Sequence, residues 1–538
     1  MRRSVLTRVA LLAAGLASLA ITPAAGAPIR WRACTEDGFQ CATVKLPLNY
    51  AKPRAGSVRI ALTRLPASDR ANRIGSLFVN YGGPGGSGVD ATQRFGAELF
   101  AGLTDRFDLV GFDPRGVGAS TPSIDCKVNQ ETTGIYAQPF ATPETLRRAR
   151  FLARNRRYVR ACDKRNGRIL AHVSTADVAR DLDRLRAMVG DRKLTYLGFS
   201  YGTFLGATYA ALFPHRMRAL VLDGALDASG YVHRPTNALR EQTGGFEREL
   251  GRYFAACAAN PTYCTWTGGG EPETAFDGLV ERARRMPIAA PDDDVTGGDA
   301  RAVDGDDILN GALNDLYAKQ QWPELTQALN RATTGDASLF RAINNAGYGR
   351  EADGGYDAGV DRYFTIGAAD QRYGRRVQPL LDVGASSWAT FDHFWFNSGY
   401  AEVAFPLYPV KSVGSFGGSF KVPRSASPPL VVGTVYDPAT VYRQARRLTA
   451  ELGNARLLTM NGDGHTAYGA NSPCINAAIN AYVIKRTLPP KNTVCQQEVA
   501  FPPPPQARRS SRAARAYVPR PGARPRGRYA APLAGLTQ

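Results

Sequence analysis

The turn Gly198-Phe199-Ser200-Tyr201-Gly202 constrains this chain more than any other stretch. Leu194-Thr195-Tyr196-Leu197 before it is a short apolar, β-favouring run that predicts a buried strand. Phe204 to Phe213 after it carries small and apolar residues at helical spacing, and Pro214 stops the helix. A chain that reverses so sharply strains its central residue and crowds the positions two before and two after it. Glycine at both relieves the crowding and leaves the serine hydroxyl standing above the sheet, at the positive end of the following helix. In a chain with 55 glycines the bare pattern is a weak signal, and an ordinary glycine-containing turn is the alternative. The flanking strand and helix favour an activated serine, so the rest of the chain must supply a base, an orienting acid and donors for an oxyanion.

Candidates for each occur in order. Ser76 to Tyr81 reads as a buried strand ending in Gly82-Gly83-Pro84-Gly85-Gly86-Ser87-Gly88. Glycine at that density lets backbone N–H groups approach a ligand. No Lys-Ser/Thr follows, so a phosphate-binding P-loop is not supported. With Tyr201, Gly83 is the expected oxyanion donor. Arg106 to Phe112 predicts another strand, leading into Asp113-Pro114-Arg115-Gly116, where Asp113 reads as a turn-stabilising acid. Thr142-Pro143-Glu144 looks like the start of a basic helix running to about Arg165, and Ala176 to Val189 predicts an amphipathic helix. Far along the chain, Leu430 to Thr434 predicts a strand ending at Tyr436-Asp437-Pro438, and Ala455 to Met460 one ending at Gly462-Asp463-Gly464-His465. Ser200, Asp437 and His465 thus each follow a strand, in the order nucleophile, acid, base. Ser200 would attack, His465 would take and return its proton, and Asp437 would hold the imidazole tautomer.

The chain ends carry different signals. Arg2, Arg3 and Arg8, the apolar run Val9 to Ile21 and the small residues Ala25-Gly26-Ala27 predict a cleaved export signal, too short for a membrane span. Eight cysteines fall as sequence neighbours, and disulfides Cys34–Cys41, Cys126–Cys162, Cys257–Cys264 and Cys474–Cys495 are expected. No CxxC or HxxxH spacing points to a metal, and no cofactor is expected. Taking three leader arginines and eight tail arginines from the formal charge of +20 leaves +9 on the body. That is no nucleic-acid footprint, and no nucleic-acid-binding module is present. The Pro- and Arg-rich tail is expected to be disordered, with weak contact to an anionic surface as its functional alternative.

Strand–helix alternation stops after Leu220-Val221-Leu222-Asp223-Gly224 and resumes near Pro429. The expected organisation is therefore a leader (1–27), a first core segment (28–227), a mainly helical cap (228–400), a second core segment with the acid and the histidine (401–500), and a tail (501–538).

The run from Asp181-Leu182-Asp183 and Arg186 through Gly198-Phe199-Ser200-Tyr201-Gly202-Thr203 to Leu222-Asp223-Gly224 resembles the secreted actinobacterial tripeptidyl aminopeptidases, which group with prolyl aminopeptidase-type serine peptidases. Asn80-Tyr81-Gly82-Gly83-Pro84-Gly85-Gly86, Asp113-Pro114-Arg115-Gly116, Tyr436-Asp437 and Gly464-His465-Thr466 fit the same family. The resemblance implies an α/β-hydrolase fold with a large helical cap and metal-free release of short peptides from free N-termini through an acyl-enzyme. It also implies acidic cap residues holding the substrate ammonium, for which Glu241, Glu247 and Glu249 are the candidates. An exported esterase or lipase would use the same triad, and a non-catalytic binding protein of this fold is a third reading.

Overall fold

The computed structural model describes residues 28–135, 141–409, 411–469, 472–499 and 501–503; the expected leader and the arginine-rich tail lie outside the described residues. Ten strands form one sheet: β1 (Arg32–Ala33), β2 (Gln40–Pro47), β3 (Ser57–Leu65), β4 (Gly75–Asn80), β5 (Phe107–Phe112), β6 (Leu194–Phe199), β7 (Met217–Asp223), β8 (Leu430–Tyr436), β9 (Arg456–Asp463) and β10 (Val494–Gln496). Their spatial order is β1-β2-β3-β5-β4-β6-β7-β8-β9-β10. The pairings from β5 to β10 are parallel, and β1, β2 and β3 add an antiparallel edge.

The central strands read as unbroken apolar runs because both faces of a parallel sheet are covered. Their side chains alternate between two cores. Leu77, Val79, Leu197, Val221 and Leu430 face one core, while Phe78, Tyr196, Leu220 and Val431 face the other. Helices α1 (Arg148–Asn166), α2 (Thr175–Met188) and α3 (Tyr201–Leu212) follow in the first half of the chain. Between β7 and β8 come, among shorter turns, α4 (Pro235–Ala259), α5 (Pro272–Arg285), α6 (Gly305–Asp315), α7 (Trp322–Thr333), α8 (Ser338–Tyr348), α9 (Gly359–Asp370) and α10 (Gln378–Trp388). These build a further apolar cluster around Phe246, Trp322, Leu329 and Trp395. Helices α11 (Tyr442–Leu452) and α12 (Pro473–Lys485) complete the second half of the sheet layer. All four expected disulfides are formed.

One helix start differs from the sequence expectation. Thr142 to Leu146 makes a single turn, closed by the Leu146 N–H on the Thr142 carbonyl (2.9 Å), and α1 begins only at Arg148. Arg147, with φ −83° and ψ 77°, breaks the helical path between the two.

The Asp113-Pro114-Arg115-Gly116 turn organises the sheet edge. Asp113 accepts the Ser87 hydroxyl (2.6 Å) and the Val89 and Ala119 N–H groups (3.0 and 2.7 Å). Arg115 is fully buried and forks onto Asp181 (2.7 and 2.6 Å), while its remaining donors reach the Leu48, His172 and Pro47 carbonyls. Tyr50 donates its hydroxyl to the same carboxylate (2.7 Å). Breaking such a pair strands a buried charge. Arg115→Met is expected to lose about 3–5 kcal/mol of stability, measured by urea unfolding; a loss below 1 kcal/mol would show the pair to be replaceable.

Candidate active site

The loops after β4, β6, β7, β8 and β9 gather at the carboxyl edge of the parallel sheet, where the strand order changes direction around β4. Ser200 sits between β6 and α3 with φ 55° and ψ −124°, the strained turn expected from its glycine flanks. A Cβ on Gly202 would come within 2.5 Å of the Asn80 carbonyl oxygen, and one on Gly198 within 2.4 Å of the Gly202 oxygen. No side chain fits at either place. A Cβ on Gly82 would lie 2.8 Å from the Phe199 oxygen, 3.0 Å from Ser200 Cβ and 3.2 Å from the Tyr201 nitrogen. The glycine loop after β4 therefore lies directly against the serine turn. Tyr201 opens α3, so its N–H belongs to the first turn, which has no partner within the helix. Gly83 adjoins it in the facing loop with φ 108°.

Asp437 and His465 are in direct contact. His465 Nδ1 is 2.9 Å from Asp437 Oδ2 and 3.0 Å from Oδ1, which makes Nδ1 the protonated nitrogen. Asp437 also accepts the Ala439 and Thr440 N–H groups (2.9 and 2.8 Å) and the Thr440 hydroxyl (2.9 Å). His465 Nε2 is buried and has no hydrogen-bond partner among the described residues. Asp223 joins this pair to the serine. Its carbonyl accepts the Ser200 N–H (2.9 Å), and its carboxylate accepts the Ala467 and Tyr468 N–H groups (3.0 and 2.8 Å). At the next residue a Cβ on Gly224 would be 3.1 Å from His465 Cε1. The imidazole thus borders the turn after β7, whose Asp223 carbonyl holds the Ser200 N–H. Burial pushes the Asp223 carboxyl up to about 6.

The helices between β7 and β8 hold the histidine loop from above. Tyr317 O accepts the His465 N–H (2.6 Å), Glu249 Oε1 accepts the Gly464 N–H (3.0 Å), and Lys319 Nζ pairs with Asp463 (2.6 Å). Arg252 also pairs with Asp463.

A cleft of about 940 Å³ opens above Ser200, walled by the glycine loop on one side and by α1, α6, α7, α8 and the segment around Tyr400 on the other. Glu241, Glu247 and Glu249 do not line it. Glu241 is held by Arg447 (2.8 Å) and Arg443 (3.2 Å). Glu247 accepts the His393 and Phe394 N–H groups (2.9 and 2.6 Å) and contacts His393 Nδ1 (2.9 Å). Glu249 is fully buried beneath the histidine loop, and burial raises its carboxyl well above the usual range. Each of the three is engaged by partners within the fold.

The carboxylates on the cleft wall are Asp90, Asp315, Glu324 and Glu402. Asp315 is 1% exposed, its Oδ2 has no partner, and burial holds its carboxyl far above the ordinary value, with nearby Glu324 adding to the shift. Its position was readable: Ile308, Ala312 and Asp315 fall on one helical face at spacings of four and three. Nothing in the irregular sequence around Glu402 marked it.

Glu402 accepts the Tyr373 hydroxyl (2.7 Å) and the Gly399 N–H (3.0 Å), and burial pushes its carboxyl from 4.5 to about 7. The folded protein keeps a proton here that the unfolded chain releases, so this stabilisation is full below pH 4.5 and is lost as pH rises through about 7. Glu402→Gln stays neutral throughout. Its stability is expected to match wild type near pH 4.5 and to exceed it by about 2–3 kcal/mol at pH 8, read from urea unfolding at both values. A difference that does not change with pH would show the wild-type carboxyl to be ionised across the range.

Residues 75–267 match the family model described as alpha/beta hydrolase fold, and residues 404–495 match the one described as TAP-like protein. The chain is 31% identical over 538 residues to "Serine protease Hip1" of Mycobacterium tuberculosis, covering 92% of this chain and 99% of that relative. It is 32% identical over 500 residues to "Carboxylesterase B" of the same organism (87% and 91%), and 30% identical over 508 residues to "Tripeptidyl aminopeptidase" of Streptomyces lividans (89% and 88%). With the sheet, the serine turn and these relatives together, the chain belongs to the TAP-like serine hydrolases of the α/β-hydrolase fold.

Proposed function

We propose that the protein is an exported aminopeptidase that releases short peptides from free N-termini through an acyl-enzyme on Ser200. The observation that carries this reading is the imidazole of His465. One nitrogen is fixed on Asp437 at 2.9 Å, and the other is buried without a partner among the described residues, while the ring lies against Gly224, next to the Asp223 carbonyl that holds the Ser200 N–H. His465 Nε2 takes the Ser200 proton as the hydroxyl attacks the scissile carbonyl, then returns it to the leaving amine. Asp437 keeps the tautomer and stabilises the imidazolium. The N–H groups of Tyr201 and Gly83 receive the oxyanion, each contributing on the order of 10²–10³ in rate.

The free N-terminus falls to Asp315 and Glu324. Both line the cleft; Asp315 is buried with Oδ2 unpaired among the described residues, and Glu324 is exposed beside it. The relatives named serine protease and tripeptidyl aminopeptidase support a peptide substrate, and four disulfides support an oxidising destination outside the cytosol. The relative named carboxylesterase favours a second reading, ester hydrolysis by the same triad.

Ser200→Ala is expected to abolish turnover and fluorophosphonate labelling while leaving folding unchanged; wild-type activity in that variant would overturn the nucleophile assignment. A tripeptide anilide with a free N-terminus should be hydrolysed at least about 10-fold faster than its acetylated form, and Asp315→Asn should remove most of that preference. Equal rates on the two, or activity on p-nitrophenyl esters alone, would leave the esterase reading standing.

A further inference from the structure

Arg154 is a charge without a counter-charge. It lies on α1 with Phe151, Asn155 and Tyr158, on the helical face that faces inward. It is 6% exposed, and its Nε and Nη2 have no hydrogen-bond partner. Among the described residues no carboxylate pairs with it, and the charge that acts on the guanidinium is another cation, Arg157. Burial pushes its pKa down to about 10, which still leaves it protonated at neutral pH. Its guanidinium carbon rests 5.4 Å from the centroid of the Phe151 ring, and both residues line the cleft above Ser200.

Such a group is expensive to keep. An unpaired buried cation costs several kcal/mol, and one ring contact offsets only part of that. The other arginine on the cleft wall, Arg94, is paired with Asp90 at 3.1 Å. Packing does not explain Arg154, because an aliphatic side chain of similar length would fill the same volume without the penalty. Its planar fork, with two free donor positions, has the geometry that receives a carboxylate.

We propose that Arg154 is the receptor for a carboxylate of the bound substrate. The proposal rests on the reading of this cleft as a peptide site, and it names the substrate class: peptides whose far end, or one of whose side chains, carries a carboxylate. The cleft is then bipolar. Asp315 and Glu324 meet the ammonium, Arg154 meets the carboxylate, and Ser200 lies within the same cavity. The carboxylate comes either from an Asp or Glu side chain or from the free C-terminus of a short peptide.

The test compares wild type, Arg154→Gln and Arg154→Lys on substrates matched except for one carboxylate. Glu/Gln pairs at each position of a free tripeptide anilide report a side-chain source. Tetrapeptides ending in a free acid or an amide report a C-terminal source. The p-nitrophenyl monoester of glutaric acid against p-nitrophenyl pentanoate reports the same contact without any peptide. Wild type is expected to favour the carboxylate member of at least one pair, mainly through KM. Arg154→Gln should lower that ratio about 10- to 100-fold, and Arg154→Lys should retain part of it. Thermal unfolding and fluorophosphonate labelling establish that the variants are folded, and losing an unpaired charge should not lower the melting temperature. Identical ratios in wild type and Arg154→Gln across all three arms would overturn the proposal. If peptides are refused while the ester pair shows an Arg154-dependent ratio, the peptidase reading falls and the carboxylate receptor stands. If peptides are cleaved with no such ratio anywhere, the receptor falls and the peptidase reading stands.

Discussion

Asp223 ends β7 with its backbone on one side of the active site and its side chain on the other. The carbonyl fixes the Ser200 N–H, and the carboxylate fixes the N–H groups of Ala467 and Tyr468, just past His465. Ser200 and His465 follow strands far apart in sequence, β6 and β9. A single buried carboxylate accepting backbone donors from a second loop sets their separation without depending on flexible side-chain contacts. This is why an acid can be kept at a position with no solvent exposure, despite the desolvation that raises its pKa.

The helices between β7 and β8 do more than cover the cleft. Tyr317, Lys319 and Glu249 all come from that segment, and all three hold the loop that carries His465. Glu249 is informative because its sequence context, an acid early in a cap helix, suggested a substrate contact. The structure turns it toward the sheet, where one oxygen accepts the Gly464 N–H and the other is buried without a partner. A cap bonded to the base's own loop cannot swing as an independent lid without disturbing the imidazole. Substrate entry is then expected through the cleft mouth, with the cap staying seated on the histidine loop.

The parts of this molecule that were legible in the sequence are those fixed by local rules. The serine turn was legible because the glycine at 198 answers a steric demand from Gly202 itself, the glycine at 202 lets the neighbouring strand β4 pass close at Asn80, and the positive φ of Ser200 marks the strain of the turn. The central strands were legible because burial on both faces removes polar alternation. The start of α1 was misjudged because Thr142-Pro143-Glu144 obeys the local rule for a helix start, while Arg147 leaves the helical path after one turn. The surroundings of the acidic candidates Glu241, Glu247 and Glu249 were not legible for a different reason. Their partners, Arg447, His393 and Gly464, lie more than a hundred residues away, and a helix sequence does not say which face meets what.

The unpaired groups complete the physical picture. A folded chain pairs its buried polar atoms almost everywhere, so atoms left unpaired around one cavity mark where the fold is unfinished without a ligand. Here His465 Nε2, Asp315 Oδ2 and two donors of Arg154 stand unpaired while Arg115, Asp181, Asp223 and Asp437, equally buried, are saturated. The contrast separates two uses of buried charge in one protein. Arg115, Asp181 and Asp223 fix loops to the sheet, whereas Asp315 and Arg154 present unpaired atoms on the cleft wall.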